Sequence, residues 1–423
     1  MRMSRGIMAV VSVAVALCAS PAFADHDSSR PRGLSALLPN LFGTNGILLA
    51  PPTAGFSHAA HFTAASEAQL TVLNDSLRGQ LSNIPLPSPA GSFTFSFDPS
   101  LGAFTRSTES FGPIYSQRAE TTGRGKLTFG GSYSRFTFDT LDGVDLGNGD
   151  LKVTFLHEPT GASVGAPPFF FEADTITASI FADITSDVFV LSATYGILDN
   201  LDVSIAVPII HTAVRLKGVA KINRIGTGAA VGIHNFSNGT DTITVRASDE
   251  STGLGDIVLR AKWNFLNPGN TSLAAGLDFR LPSGSEDDLR GVGTPVVSPA
   301  LIFSARPLFG VSPHAQAGFH FSTDRSKLDH ELFYAVGVDW ALFRPLTFVF
   351  DLLGRRVIDN QRVRAGQSLG GTKIASSDII DASIGVKVNV WKNVIGVANV
   401  LVPLNETGLR DKATPLIGLE VAF

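Results

Sequence analysis

The chain has 423 residues, among them nine histidines, a single cysteine and 37 carboxylates through which covalent or metal chemistry could run. Nucleophilic catalysis needs a base held beside a serine, cysteine or threonine. No GxSxG elbow occurs, and His211, His234 and His330 have no partner at motif spacing. His58 and His61 form an HxxH pair, but the glutamate of a zincin helix is missing. Cys18 is alone, so a disulfide framework, a zinc ribbon and an iron–sulfur cluster are all excluded. Glu286, Asp287 and Asp288 are adjacent without the spacing of an EF-hand loop and read as a solvated acidic loop. Gly226-Thr227-Gly228 has no GxGxxG continuation. The expectation is a protein that is not an enzyme and carries no cofactor and no metal. A net charge of −4 leaves no footprint for nucleic acid.

The remaining charges repeat with a period of two, and that period defines the elements that carry them. From about Gly125 onward, segments of some ten residues alternate apolar with polar or small side chains, as half-buried strands do. In Ser377–Val390, Ile380, Ala382, Ile384, Val386, Val388 and Val390 share one face, against Asp381, Ser383, Gly385, Lys387 and Asn389. In Asp256–Phe265, Ile257, Leu259, Ala261, Trp263 and Phe265 oppose Arg260, Lys262 and Asn264. The same alternation gives one common face to Lys126, Asp202, Arg260, Lys262, Asp278, Arg280, His314, Gln316, His320, Asp339, Asp351, Arg355, Asp381, Lys387 and Glu420. A tight turn over Leu266–Asn270 sets Arg260 opposite Asp278. If that face lines a lumen, its mixed signs make a polar conduit with little ion preference. The competing reading is a set of salt bridges that brace the wall and hold a plug.

Only 17% of the residues are charged, against about a quarter in soluble proteins, while 44% are hydrophobic. This excludes disorder. No stretch after residue 24 reaches 18 apolar residues, so the chain has no transmembrane helix. Short connections at Gly196–Asn200, Leu266–Asn270, Arg306–Phe309, Phe343–Pro345 and Val390–Lys392 alternate with long polar ones at Lys217–Thr252, Ser283–Thr294, Ser322–Glu331, Arg356–Ser376 and Asn405–Ala413. Short periplasmic turns and long outer loops are the pattern of a transmembrane antiparallel β-barrel. Trp263, Trp340, Phe343, Phe348 and Trp391 near strand ends suit an interfacial girdle. Counting from Lys126 gives 12 strands if Leu151–His157 and Asp174–Asp183 pair within an outer loop, and 14 if both belong to the wall. Twelve is favoured.

Three further segments complete the organisation. Residues 1–24 have a basic start, an apolar Ile7–Ala19 stretch and an Ala22-Phe23-Ala24 site, which predicts a signal peptide cut after Ala24 and export to the outer membrane. Residues 25–123 lack sustained alternation and read as a plug or periplasmic segment. In it Leu70, Leu73, Leu77, Leu81 and Ile84 follow a helical period ended by Pro85 and Pro87, and Ser92–Arg106 reads as a short hairpin. Residues 124–423 are the barrel. Pro167–Phe171 is an apolar cluster in a loop, expected to pack into the barrel mouth or to bind a hydrophobic solute or lipopolysaccharide acyl chains. The last strand, TPLIGLEVAF, resembles the C-terminal signature that the barrel-assembly machinery reads, with Phe423 as its terminal aromatic.

Phe111–Gly125 (FGPIYSQRAETTGRG), Tyr195–Pro208 (YGILDNLDVSIAVP), Gly253–Leu266 (GLGDIVLRAKWNFL) and Leu281–Gly293 (LPSGSEDDLRGVG) resemble an outer-membrane transporter family named for the MetA pathway of phenol degradation. The resemblance spans about residues 90 to 423. It implies uptake of small hydrophobic or aromatic molecules by passive diffusion, in contact with outer-membrane lipids and lipopolysaccharide. The family is similar in turn to the secretion channel for functional amyloid subunits, which implies 12 strands, a plug and a homotrimer. Export of a protein substrate and a structural or adhesive barrel are the alternative functions.

Overall fold

Strands that are apolar on one face and polar on the other can satisfy their backbone in a membrane only by closing into a ring. In the computed structural model of this protein they do so. The structure describes residues 33–44, 46–50, 59–81, 83–88, 95–98, 103–106, 110–158, 174–225, 234–305, 307–343, 345–358, 368–369, 372–373, 378–391 and 393–423. The expected signal peptide, His58, Gly226-Thr227-Gly228 and the Pro167–Phe171 cluster lie outside the described residues. No helix among the described residues is long and apolar enough to cross a membrane.

The wall strands are β1 (Leu127–Leu141), β2 (Thr175–Leu198), β3 (Leu201–Asn223), β4 in two segments (Thr242–Leu254 and Val258–Leu266), β5 (Thr271–Arg280), β6 (Val296–Ala305), β7 (Val311–Ser322), β8 (His330–Phe343), β9 (Leu346–Ile358), β10 (Asp378–Trp391), β11 (Val394–Pro403) and β12 (Thr414–Ala422). Each pairs antiparallel with its sequence neighbours, and β1 closes the ring by pairing with both β12 and β2. The protein is a closed 12-stranded barrel. Leu151–Leu156 pairs only with the Thr175–Ile180 end of β2, so it adds a partner at the long-loop end and no stave to the wall. Leu409–Asp411 similarly pairs only with the far end of β1. Phe423 exchanges backbone hydrogen bonds with Leu127 and sets its ring edge-on to Phe129, tying the chain terminus to the start of the wall.

The outward face of the short-turn half is apolar. Leu259, Trp263, Phe265, Leu277, Phe279, Leu301, Phe303, Ile384, Ile417 and Leu419 are all exposed there. On β3 this band runs from Leu201 to Ile209, roughly 26 Å of strand and about 20 Å of height at the usual barrel tilt. Trp263, Trp340, Phe343 and Trp391 ring its lower edge, with Phe348 half-buried beside them.

One expectation needs correction. Lys217–Thr252 was expected to be an outer loop, yet β3 continues to Asn223 and its partner starts again at Thr242. Beyond the apolar band the alternation inverts. Arg215, Lys217, Lys221 and Arg246 now point outward, while Val214, Leu216, Ala220 and Ile222 are buried on the inside. Read as a lipid-facing pattern, this stretch looks polar. It is a wall with water outside and a hydrophobic core within.

The N-terminal segment supplies the other half of that core. Helix α1 (Thr63–Leu81) buries Leu70, Leu73, Leu77 and Leu81 in one cluster with Phe155 of the Leu151–Leu156 strand and with wall residues such as Phe136, Ile176, Ile180 and Leu216. At 1.5–3 kcal/mol per buried leucine this face contributes roughly 6–12 kcal/mol, an upper bound. Ile84 falls beyond the helix, which stops before Pro85. Residues 46–49 lie against the start of α1, where Gly46 is required. Its φ is +75°, and a Cβ there would stand 2.5 Å from both Thr63 O and Ser66 Oγ. The expected hairpin is present, with Phe95–Asp98 antiparallel to Ala103–Arg106.

Candidate functional site

The N-terminal segment enters the barrel as a plug. Its first described residues bond the long-loop end, with Ser35 N–H on Asp287 O at 2.8 Å and Ala50 N–H on Asn235 O at 2.8 Å. From α1 the chain passes Asn83–Ser88, and Ser88 N–H reaches Ile114 O at 2.8 Å. Residues 110–123 are almost entirely buried near the short turns and lead directly into β1.

The polar side chains predicted for the inner face meet this segment. Lys262 is buried and donates to Arg118 O at 3.2 Å and Glu120 O at 2.6 Å. Its ammonium stands 3.8 Å from Asp202, whose carboxylate accepts from Thr122 N–H at 2.8 Å. His314 lies between two carboxylates, with Nδ1 3.1 Å from Asp339 and Nε2 2.6 Å from Asp351. The doubly protonated ring satisfies both at once. Arg118 approaches Asp339 at 3.3 Å, and Ser116 Oγ donates to Asp351 at 2.6 Å. Lys387 pairs with Glu420 at 2.9 Å. Asp381 pairs instead with Arg410 of the β11–β12 loop at 2.8 Å.

Other predicted residues gather higher in the lumen. Arg260 and Asp278 face each other in register, joined through both Nε and Nη2 of the guanidinium. Arg280 donates to Asn83 Oδ1 at 2.9 Å, Arg355 to Asn83 O at 3.2 Å, and Asn83 donates to Glu331 at 3.0 Å. His320 shares a hydrogen bond with Ser298 at 2.7 Å and stacks on Phe333 at 4.3 Å between centroids. Gln316 borders the same space. Lys126 is half-buried at the rim just ahead of β1 rather than within a strand.

These charges therefore form contacts that hold a segment in the lumen, and no ring of one sign occurs among them. Between Asn83–Ser88 and the wall from β3 to β9 lies a cavity of about 180 Å³. Arg260, Arg280 and Arg355 border it on one side, and Tyr115, Phe333 and Leu353 supply ring and apolar surface.

Several members of the site carried no usable sequence signal. Arg118, Ser116, Asn83 and Thr122 belong to the segment that lacks alternation. Asn264 Nδ2, which donates to Ala119 O at 2.9 Å, looked like one polar residue among many. Two of the stretches that carry the family resemblance, Gly253–Leu266 and Leu281–Gly293, form a structural clasp. Asp256 sits where three residues of β4 (255–257) oppose Val207 and Pro208, and its carboxylate accepts from Gly284 N–H at 3.0 Å and Val292 N–H at 2.9 Å. A Cβ on Gly291 would lie 2.5 Å from Asp256 Oδ1.

Among solved structures, the chain is similar to an outer-membrane channel of Pseudomonas putida F1, at 13% identity over 72% of this chain and 98% of that one, with a TM-score of 0.43. It is also similar to a FadL homologue of Pseudomonas aeruginosa, at 9% identity over 71% and 90% with a TM-score of 0.34. A monoaromatic hydrocarbon channel, the TodX deltaS2S3 mutant, aligns at 9% identity over 72% and 92%, with a TM-score of 0.36. No curated protein matches the sequence. The profile of the family described as "Putative MetA-pathway of phenol degradation" matches residues 159–399, more than half of the 423 residues, and the chain belongs to that family.

Proposed function

We propose that the protein is an outer-membrane channel passing small hydrophobic or aromatic molecules by passive diffusion, its short turns facing the periplasm and its long loops outside. The cavity beside Asn83–Ser88 carries this reading. A cavity of roughly 150 Å³ already admits benzene, and this one offers about 180 Å³. Phe333 and Tyr115 give a flat solute ring surface, while Arg280 and Arg355 suit a phenolate or carboxylate substituent through cation–π contact and charge-assisted hydrogen bonds. The family's association with phenol degradation supports the same solute class.

The test is single-channel recording from the folded mature protein in a planar bilayer, with benzoate or phenol added to one side. The reading expects openings that either solute interrupts at millimolar concentration, with Arg280→Gln weakening the benzoate block more than the phenol block. Folded protein that shows no openings, or openings indifferent to both solutes and to Arg280→Gln, would overturn it.

A further inference from the structure

The plug, a loop strand and a loop each bring one histidine to the same place at the long-loop end. His61 precedes α1, His157 follows the Leu151–Leu156 strand, and His234 lies in the β3–β4 loop. One ring nitrogen of each lies within 4.8 Å of those of the other two. His61 Nδ1 and His157 Nε2 are 2.8 Å apart. The ring centroids of His61 and His157 are 4.5 Å apart, and those of His157 and His234 are 5.1 Å apart.

The surrounding contacts set which nitrogens carry lone pairs. His157 Nδ1 faces Glu158 O at 2.7 Å, so it donates and Nε2 is the basic nitrogen. His234 Nδ1 faces Asp174 Oδ2 at 2.9 Å, so it too donates and Nε2 is the basic nitrogen. A carboxylate behind an imidazole in this way fixes the tautomer and raises its basicity as a ligand. Phe62, fully buried, packs edge-on against both His157 and His234 and restricts their rings. Three imidazoles on one zinc ion, with Zn–N near 2.1 Å, have their nitrogens about 3.4 Å apart. The observed spacings, 2.8 Å for His61–His157 and no more than 4.8 Å for any pair, span that value.

We propose that His61, His157 and His234 form a binding site for a divalent transition-metal ion, with Asp174 as the residue that positions His234. Three imidazole nitrogens suit Zn²⁺, Ni²⁺ or Cu²⁺ and disfavour Ca²⁺ and Mg²⁺, which take oxygen ligands. The ion clamps the plug to the outer loops, because His61 belongs to the plug and the other two to the loops. Two hydrogen bonds already join these parts, Glu158 N–H to the His61 backbone O at 2.8 Å and Ala64 N–H to the Glu158 side-chain Oε1 at 2.9 Å, and a bound ion tightens both.

The experiment titrates Zn²⁺, and Co²⁺ as a spectroscopic probe, into the folded full-length mature protein in detergent, after removal of any affinity tag. One equivalent is expected to bind. His61→Ala, His157→Ala and His234→Ala should each weaken binding at least tenfold, and Asp174→Asn 10- to 100-fold. His211→Ala, whose ring bonds Thr252 on the outer face of β3, should leave binding unchanged. Heat-modifiable gel migration establishes that each variant is a closed barrel, and His157→Gln replaces His157→Ala if the latter fails that check. Zn²⁺ should also slow hydrogen exchange at the amides of Ala64 and Glu158 in the wild type but not in the His157 variant. Absence of stoichiometric binding, or binding that the three substitutions leave intact, would overturn the site. Binding without slowed exchange at those two amides would overturn the clamp. Neither readout depends on the channel reading.

Discussion

Lys262 offers the most direct perturbation of the plug. Its ammonium bonds two backbone carbonyls of the segment, Arg118 O and Glu120 O, and stands beside the buried carboxylate of Asp202. Hydrogen bonds to charged groups contribute about 1.5–3 kcal/mol each, and breaking a buried ion pair on one side costs about 3–5 kcal/mol. The two descriptions overlap and do not add, so Lys262→Met should loosen residues 118–122 by about 3–5 kcal/mol. At 1.4 kcal/mol per decade, that is a rise of roughly two to three and a half decades in local opening. Hydrogen exchange reads it at two amides, Ala119 N–H on Ser304 Oγ and Thr122 N–H on Asp202 Oδ2. Both should exchange 10² to 10³ times faster or more, while the amide of Ile205 in the adjoining wall keeps its rate. The Asp202→Asn/Lys262→Met double variant removes the stranded carboxylate and should recover part of the loss. Exchange changed by less than threefold, or raised equally in plug and wall, would refute the reasoning.

Gly291→Ala forces a methyl against Asp256 Oδ1 and loosens the clasp, so trypsin should cleave the folded protein after Arg290 at least tenfold faster. An unchanged cleavage rate would mean the clasp yields without cost. Asp142 accepts from Gly408 N–H at 2.7 Å in the loops, and burial pushes its carboxyl above the usual range. With the folded pKa above the unfolded one, its contribution is fully present below about pH 3.9 and fades as pH rises through the folded value. Exchange at the Gly408 amide, corrected for intrinsic rate, should therefore be more protected at the acid end of that window, and Asp142→Asn should remove the dependence. Deleting Phe423 removes the backbone exchange with Leu127 and the contact with Phe129, and the yield of heat-modifiable barrel from cells should fall several-fold.

The strand count, the Arg260–Asp278 register and the inward side of Lys262 and His314 were legible because lipid outside and polar groups inside impose a two-residue period. That period misleads where the solvent changes. The upper parts of β2, β3 and β4 have water outside and apolar side chains inside, so Lys217–Thr252 looked like a polar loop and Asp174–Asp183 like a separate loop strand rather than the top of β2. The plug's path was not legible, since Phe111–Gly125 is irregular backbone whose partners, Thr347, Asp339, Ser304 and Asp202, are scattered over four strands. Nor was the histidine group: His61 and His157 are 96 positions apart, and only closure of the barrel around the plug unites them.

The tall side of the wall bears on what truncation would produce. β2 and β3 run 24 and 23 residues, more than twice the roughly ten that a membrane crossing needs. Above the bilayer, their inward Ile176, Ile180, Ile184, Val214, Leu216 and Ile222 face the N-terminal segment. Baring those six side chains to water would cost roughly 9–18 kcal/mol, an upper bound, comparable to the 5–15 kcal/mol that stabilises an entire domain. A chain lacking residues 33–88 would not keep a wider bore. Its upper staves would fold inward on one another, so the plug acts as the mandrel on which that half of the barrel keeps its girth.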